Sequence, residues 1–206
     1  MDQFQPNTRF SVFPPAVKYL LIWNGIFFFA TTSIYGGWTP IGAMFSNLLV
    51  LQPVGDGFMP WQLVTYMFLH ADMSHIFFNL FALWIFGQSL ENLWGTRRFL
   101  MYYFLTGIGA GIIHLIFSGA ATIGASGAVF GILLGFGMMF PDRYIILLFP
   151  PIPIKAKYFV GIYGVIELFS GLSRVESGVA HFAHLGGLVI GFILIKIWKI
   201  KKPMHY

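Results

Sequence analysis

Ser126 stands in the tetrapeptide Gly124-Ala-Ser-Gly127. Small neighbours leave a serine hydroxyl uncovered and let other backbone come close. The serine also opens an apolar run, so it reads as the first turn of a helix. Free backbone N–H groups and the helix dipole favour a developing negative charge there. A hydroxyl so placed suits a nucleophile with an oxyanion site beside it, provided a base takes its proton, and imidazole is the usual base. His184, early in the last apolar run, is the candidate base. His75 and Asn79 are at i and i+4 and share one helix face. From there they can donate hydrogen bonds to a carbonyl oxygen as it becomes an oxyanion, and losing one such donor typically costs about 3 kcal/mol. Glu167 is the only acid inside an apolar segment, and its position in sequence reads as mid-depth. No acid is then expected beside His184, and a Ser126–His184 dyad is the economical reading.

Each residue also has an ordinary reading. Gly127, Gly131 and Gly135 form one row of small residues, and Ala183, Gly187 and Gly191 another. Small residues at helix crossings are common in membranes, and polar side chains there act as interhelical glue. Ser126 alone is then a packing residue, and His184 and Asn79 alone are hydrogen-bonding ties. His70 and His114 read as structural or interfacial. His181 and His184, at i and i+3, could in principle hold a metal. With no HExxH and no Cys, no metal and no cofactor are expected.

These residues need elements to position them, and composition says which kind. Of 206 residues, 57% are apolar, 19% aromatic and only 9% charged. Mean hydropathy is +0.77. A soluble domain carries about 25% charged residues. The chain therefore cannot cover a water-facing surface of normal polarity. That excludes an ordinary cytosolic enzyme, a disordered chain and a nucleic-acid-binding domain. The net charge of +5 is spread along the chain and forms no basic patch. Without Cys, disulfides and thiolate chemistry are excluded.

A helix needs roughly 20 mainly apolar residues to cross the hydrocarbon. Charges are missing between Lys18 and Asp56, Asp72 and Glu91, Arg98 and Asp142, and Glu176 and Lys196. The Arg98–Asp142 gap of 43 residues is broken at Ser118–Gly127 and reads as two spans. The segment from Lys157 to Arg174 is apolar except for Glu167. The expected fold is thus an all-α membrane protein, a bundle of six helices at about 18–35, 74–91, 99–117, 125–140, 157–173 and 178–198. Residues 1–206 are expected to form a single integral membrane domain. The first run reads as an uncleaved span rather than a signal peptide. Residues 36–73 form a long first loop with Gly36-Gly-Trp-Thr-Pro40 and Pro60-Trp-Gln62, expected in the membrane interface or as a partly inserted hairpin.

Basic residues set orientation. All of them but Arg174 fall at the N-terminus, after span two, after span four or at the C-terminus. Both termini are then expected in the cytoplasm. Ser126 opens span four and His75 opens span two, both entering from the outer side. His184 lies one to two turns into span six, on the order of 10 Å deep. Three segments distant in sequence thus bring Ser, His and a His/Asn pair to one level. Independent packing roles would not select matching ends.

At this point the residues resemble the rhomboid intramembrane serine proteases over roughly residues 60–195. Gly124-Ala-Ser-Gly127 matches the family's GxSG motif, which implies that Ser126 is the nucleophile. Ala183-His-Leu-Gly-Gly187, with Gly191 after it, looks like AHxxG…G and implies that His184, rather than His181, is the base. His75-Ile-Phe-Phe-Asn79 matches HxxxN and implies oxyanion donors, joined by the Ser126 backbone N–H. Gly124, Gly127, Phe130 and Gly187 support them. Trp61…Thr65…His70…His75 and Glu91…Gly95-Thr-Arg97-Arg98 are similar to the family's first loop and following turn. Two positions depart from the pattern. Gln62 stands where Arg is frequent after Trp, so this chain offers no guanidinium to headgroups there. Phe130 stands where Tyr is frequent; it can still stack on His184 but lacks the hydroxyl.

The resemblance implies an endopeptidase of the cell membrane acting on transmembrane protein substrates near the outer face. It also implies lateral access past span five, with the first loop and the cap after span five as moving parts. A non-enzymatic binder of transmembrane helices is the second class, against which the intact Ser126 and His184 argue. A transporter or proton channel using Glu167 and the histidines is a third, but no internal repeat is present.

Overall fold

A computed structural model describes residues 10–34, 48–147, 150–173 and 180–203. Helices α1 (Pro15–Ile34), α3 (Met73–Trp94), α4 (Thr96–Phe117), α5 (Ser126–Met139), α6 (Ala156–Leu172) and α7 (His181–Ile197) occupy the six apolar runs. By length and composition α3 and α4 are each long and apolar enough to cross a membrane. Arg9, Gly36–Pro40 and Arg174 lie outside the described residues. So does 174–179, the cap expected after span five.

Helix α5 is the hub. Its small residues let α3, α4, α6 and α7 close around it, and Gly127, Gly131, Gly135 and Gly137 are all buried. Buried polar groups tie this core internally, as they must where little water reaches. Tyr102 Oη donates to the Gly131 carbonyl at 2.8 Å, and Thr106 Oγ1 donates to the Tyr102 carbonyl at 2.7 Å. Large apolar side chains face outward instead, among them Phe29, Phe77, Ile116 and Phe169. That is the reverse of a soluble protein's surface.

The start of α1 is held by a charge. Glu91, fully buried on α3, accepts the Ala16 and Val17 backbone N–H groups at 2.8 Å each. It also accepts the Thr96 hydroxyl at 2.7 Å. These N–H groups have no partner within the helix, and a carboxylate there also meets the positive end of the dipole. Asn92 adds a reciprocal pair to the Ser11 backbone, at 2.9 and 2.8 Å. Glu91→Ala orphans these buried donors and is expected to cost about 3 kcal/mol. Thermal unfolding in detergent will show it as a lowered Tm, with Glu91→Gln in between.

The first loop is not a simple hairpin in its described half. Residues Gln62–Thr65 form a short helix α2, followed by a 3₁₀ turn at Tyr66–Phe68. The turn wedges Tyr66 and Met67 into the bundle. Tyr66 Oη donates to the Gly107 carbonyl of α4 at 2.7 Å. Beyond α5, strands β1 (Tyr144–Ile146) and β2 (Pro153–Lys155) pair antiparallel, a short hairpin that the sequence pattern did not suggest. Asp142 before it pairs with Lys155 at 3.3 Å and Lys157 at 2.9 Å. Those lysines hold its carboxyl below the usual carboxylate range.

Candidate active site

Ser126 is the first residue of α5, and no side chain caps that helix. The first-turn N–H groups therefore lack helical partners by position. The loop leading in is braced from three sides. Leu51 and Thr122 exchange backbone hydrogen bonds at 3.1 and 3.0 Å. The Gly124 N–H donates to the Tyr66 carbonyl at 2.9 Å. His114 Nε2 lies 2.9 Å from the Ala120 carbonyl. His114, read in sequence as structural or interfacial, and Tyr66, which gave no signal there, thus support the serine loop.

Gly124 has a φ of +122°. A side chain there is strained by conformation alone. It would also collide: a Cβ would sit 2.8 Å from His75 Nε2 and 3.7 Å from Ser126 Oγ. His75 and Ser126 therefore face one another across Gly124. The Ala71 N–H donates to His75 Nδ1 at 3.3 Å. Nδ1 is then the acceptor nitrogen, so in the neutral ring Nε2 bears the hydrogen. That nitrogen is the one turned toward the serine, as an oxyanion donor requires. Asn79 is buried one turn on, with its Nδ2 donating to the His75 carbonyl at 2.9 Å. Asp72 caps the start of α3 through the His75 N–H at 2.8 Å, and with the Ser74 hydroxyl this holds its carboxyl low. His70 packs edge-on to His75 with ring centroids 5.0 Å apart. Burial, with His75 beside it, pushes the His70 imidazole down to about 4, so it stays neutral near pH 7.

His184 comes from the other side, carried by α7. A Cβ on Gly187 would fall inside the Gly127 carbonyl oxygen, and one on Gly127 would lie 3.4 Å from the Ala183 carbonyl. Two helices without side chains at this crossing bring the residue after Ser126 against the residue before His184. Phe130, one turn below Ser126, lies flat on the His184 ring at 4.2 Å with 10° between planes. Ser126, Phe130 and His184 thus form one cluster, with His75 opposite.

The expectation that no acid stands near His184 is wrong. Glu167 on α6 is buried, with one carboxylate oxygen 2.6 Å from His181 Nδ1 and the other 3.1 Å from His184 Nδ1. Glu167 lies only five residues before the end of α6, at the level where α7 begins, rather than at mid-depth. The ligand atoms of Glu167, His181 and His184 lie within 4.8 Å of one another, a set that could also hold a metal ion.

A rhomboid domain model matches residues 57–199, which cover every residue of this cluster. The chain belongs to the rhomboid family. It is 32% identical to Rhomboid protease GluP of Bacillus subtilis over 201 residues, 91% of this chain and 36% of that protein. It is 32% identical to RHOMBOID-like protein 1 of Arabidopsis thaliana, over 71% of this chain and 36% of that one. It is likewise 32% identical to Rhomboid-like protease 3 of Toxoplasma gondii, over 69% and 53% respectively. The chain thus spans about a third to a half of the length of these rhomboid relatives. Its fold is the mostly helical membrane fold of that family. Within it, Gln62 has an internal task. It is fully buried, and its Oε1 accepts the Gln52 and Met59 N–H groups at 3.1 Å each. Trp61 and Thr65 bind the Leu48 and Leu49 carbonyls at 2.8 and 2.7 Å.

Proposed function

We propose that this chain is an intramembrane serine endopeptidase that cuts transmembrane-helix substrates near the outer face of the membrane. Ser126 Oγ attacks the peptide carbonyl. His184 takes the serine proton and later delivers it to the leaving amine. His75, Asn79 and the Ser126 N–H bind the oxyanion, and water then releases the acyl group. Asn79 must turn its amide from the His75 carbonyl, or share it, to take part. The reading is supported above all by one observation: helices α5 and α7 cross at Gly127 and Gly187, and Phe130, one turn from Ser126, lies flat on His184.

Depth supports the same reading. A helix of 14 residues is about 21 Å long, against roughly 30 Å of hydrocarbon. The end bearing Ser126 can thus lie below the membrane surface in a recess that water enters from outside. We infer six spans with both termini in the cytoplasm. A substrate helix has its backbone satisfied, so it must unwind locally before attack, and helix-breaking residues near the cut favour cleavage. Helix α6 is the side of access, since Ile162, Ile166, Phe169 and Leu172 are exposed and apolar. The test is cleavage of transmembrane-helix substrates in liposomes by purified wild type. Failure on several substrates would overturn the activity and leave a binder of transmembrane helices.

A further inference from the structure

We propose that Glu167 is a positioning residue for His184, so that the working unit is a serine, an imidazole and a carboxylate from three different helices. The inference rests on the reading of His184 as the base. An ionised carboxylate only accepts hydrogen bonds. The 2.6 Å contact therefore has His181 Nδ1–H donating to Glu167 Oε2, which leaves Oε1 facing His184 Nδ1 at 3.1 Å. At rest His184 Nδ1 makes no full hydrogen bond, although the pair is buried and within ion-pair reach. Catalytic hydrogen bonds are often loose without substrate and tighten in the complex.

The consequence is chemical. A base must keep the proton on Nδ1 so that the Nε2 lone pair is free for the serine. A carboxylate at Nδ1 selects that tautomer and stabilises the imidazolium formed during attack. Phe130 fixes the ring plane and Glu167 fixes its rotation within that plane. His181 takes the second oxygen and so holds the carboxylate in place. Glu167 sits on α6, whose remaining buried residues are few: Ala156, Val160 and Gly171. The proton-directing group is thus carried by the helix past which the substrate is proposed to arrive, so seating of substrate against α6 can tighten the contact.

The test uses the full chain in detergent micelles. In ring-¹⁵N spectra of Ser126→Ala, which needs no activity, His184 is expected to hold its hydrogen on Nδ1. In Ser126→Ala combined with Glu167→Gln, that preference is expected to be lost or reversed. In the active background, Glu167→Gln is expected to lower kcat about 10²-fold with KM little changed, and Glu167→Asp to recover part of it. An unchanged His184 tautomer, or a kcat within twofold of wild type at unchanged fold, overturns the proposal. Activity lost on chelation and restored by zinc also overturns it, since the three groups then serve as a metal site. A wild type that cleaves nothing overturns the protease reading instead, while the tautomer measurement still decides the Glu167 contact.

Discussion

Ser126→Ala is expected to reduce cleavage of a transmembrane substrate by about 10⁴-fold or more, and His184→Ala to do the same. Residues that act as one unit are strongly non-additive: once the nucleophile is gone, its base has nothing left to activate. The double variant should therefore be no worse than either single one. The Ser126 hydroxyl lies where its loss disturbs little packing, whereas the His184 ring is buried against Phe130 and Glu167. Ser126 is only partly buried. His184 keeps its place in the chain through Gly187 and Ala183, and those contacts survive truncation of the ring. Near-wild-type melting together with lost cleavage is thus expected for Ser126→Ala, and a lowered Tm beside lost cleavage for His184→Ala. Initial rates on a reconstituted substrate, read against melting of the same samples, check it. Equal melting with residual activity above about 1% in Ser126→Ala would point to another nucleophile.

Gly187→Ala is expected to produce the largest combined loss of stability and activity from one added methyl. The new Cβ would enter the Gly127 carbonyl oxygen, a backbone atom that no rotamer change can move aside. Helices α5 and α7 must part, at a cost of about 3 kcal/mol. That crossing brings the residue after Ser126 against the residue before His184. A displacement of about 1 Å at reacting groups can cost 10²-fold in rate, so activity should fall even in the fraction that stays folded. Gly161→Ala on α6 is the control, because nothing lies within 4 Å of its would-be Cβ. It is expected to keep both Tm and rate, or to gain slightly in Tm from helix propensity. Thermal unfolding and single-turnover cleavage of the two variants separate the effects.

The gaps between charges located the helices, because an uncharged run of the right length has few alternatives in a chain with so little charge. Their ends fell within three residues of the expected ones. The polar residues that matter could also be picked out, since each stands against an apolar background. What sequence could not supply is which faces meet. Glu167 reads as mid-depth from the length of its apolar segment, although α6 ends at Leu172 and brings the carboxylate level with His181 and His184. Neither the level at which a helix meets its neighbour nor its rotation about its own axis is legible in sequence, least of all for a helix that is apolar all round. The same limit hid the internal task of Gln62 and the support that Tyr66 and His114 give the serine loop. The hairpin at β1 and β2 was missed because Pro150, Pro151 and Pro153 make that stretch read as plain loop.

The proposed nucleophile, Ser126, should owe its reactivity to His184. A fluorophosphonate probe, which bonds only to an activated serine, tests this without any knowledge of the substrate. The folded wild type should carry one adduct, mapped by mass spectrometry to Ser126, and both heat-unfolded protein and folded His184→Ala should carry none. An adduct on a different serine, or undiminished labelling of Ser126 in His184→Ala, would contradict it.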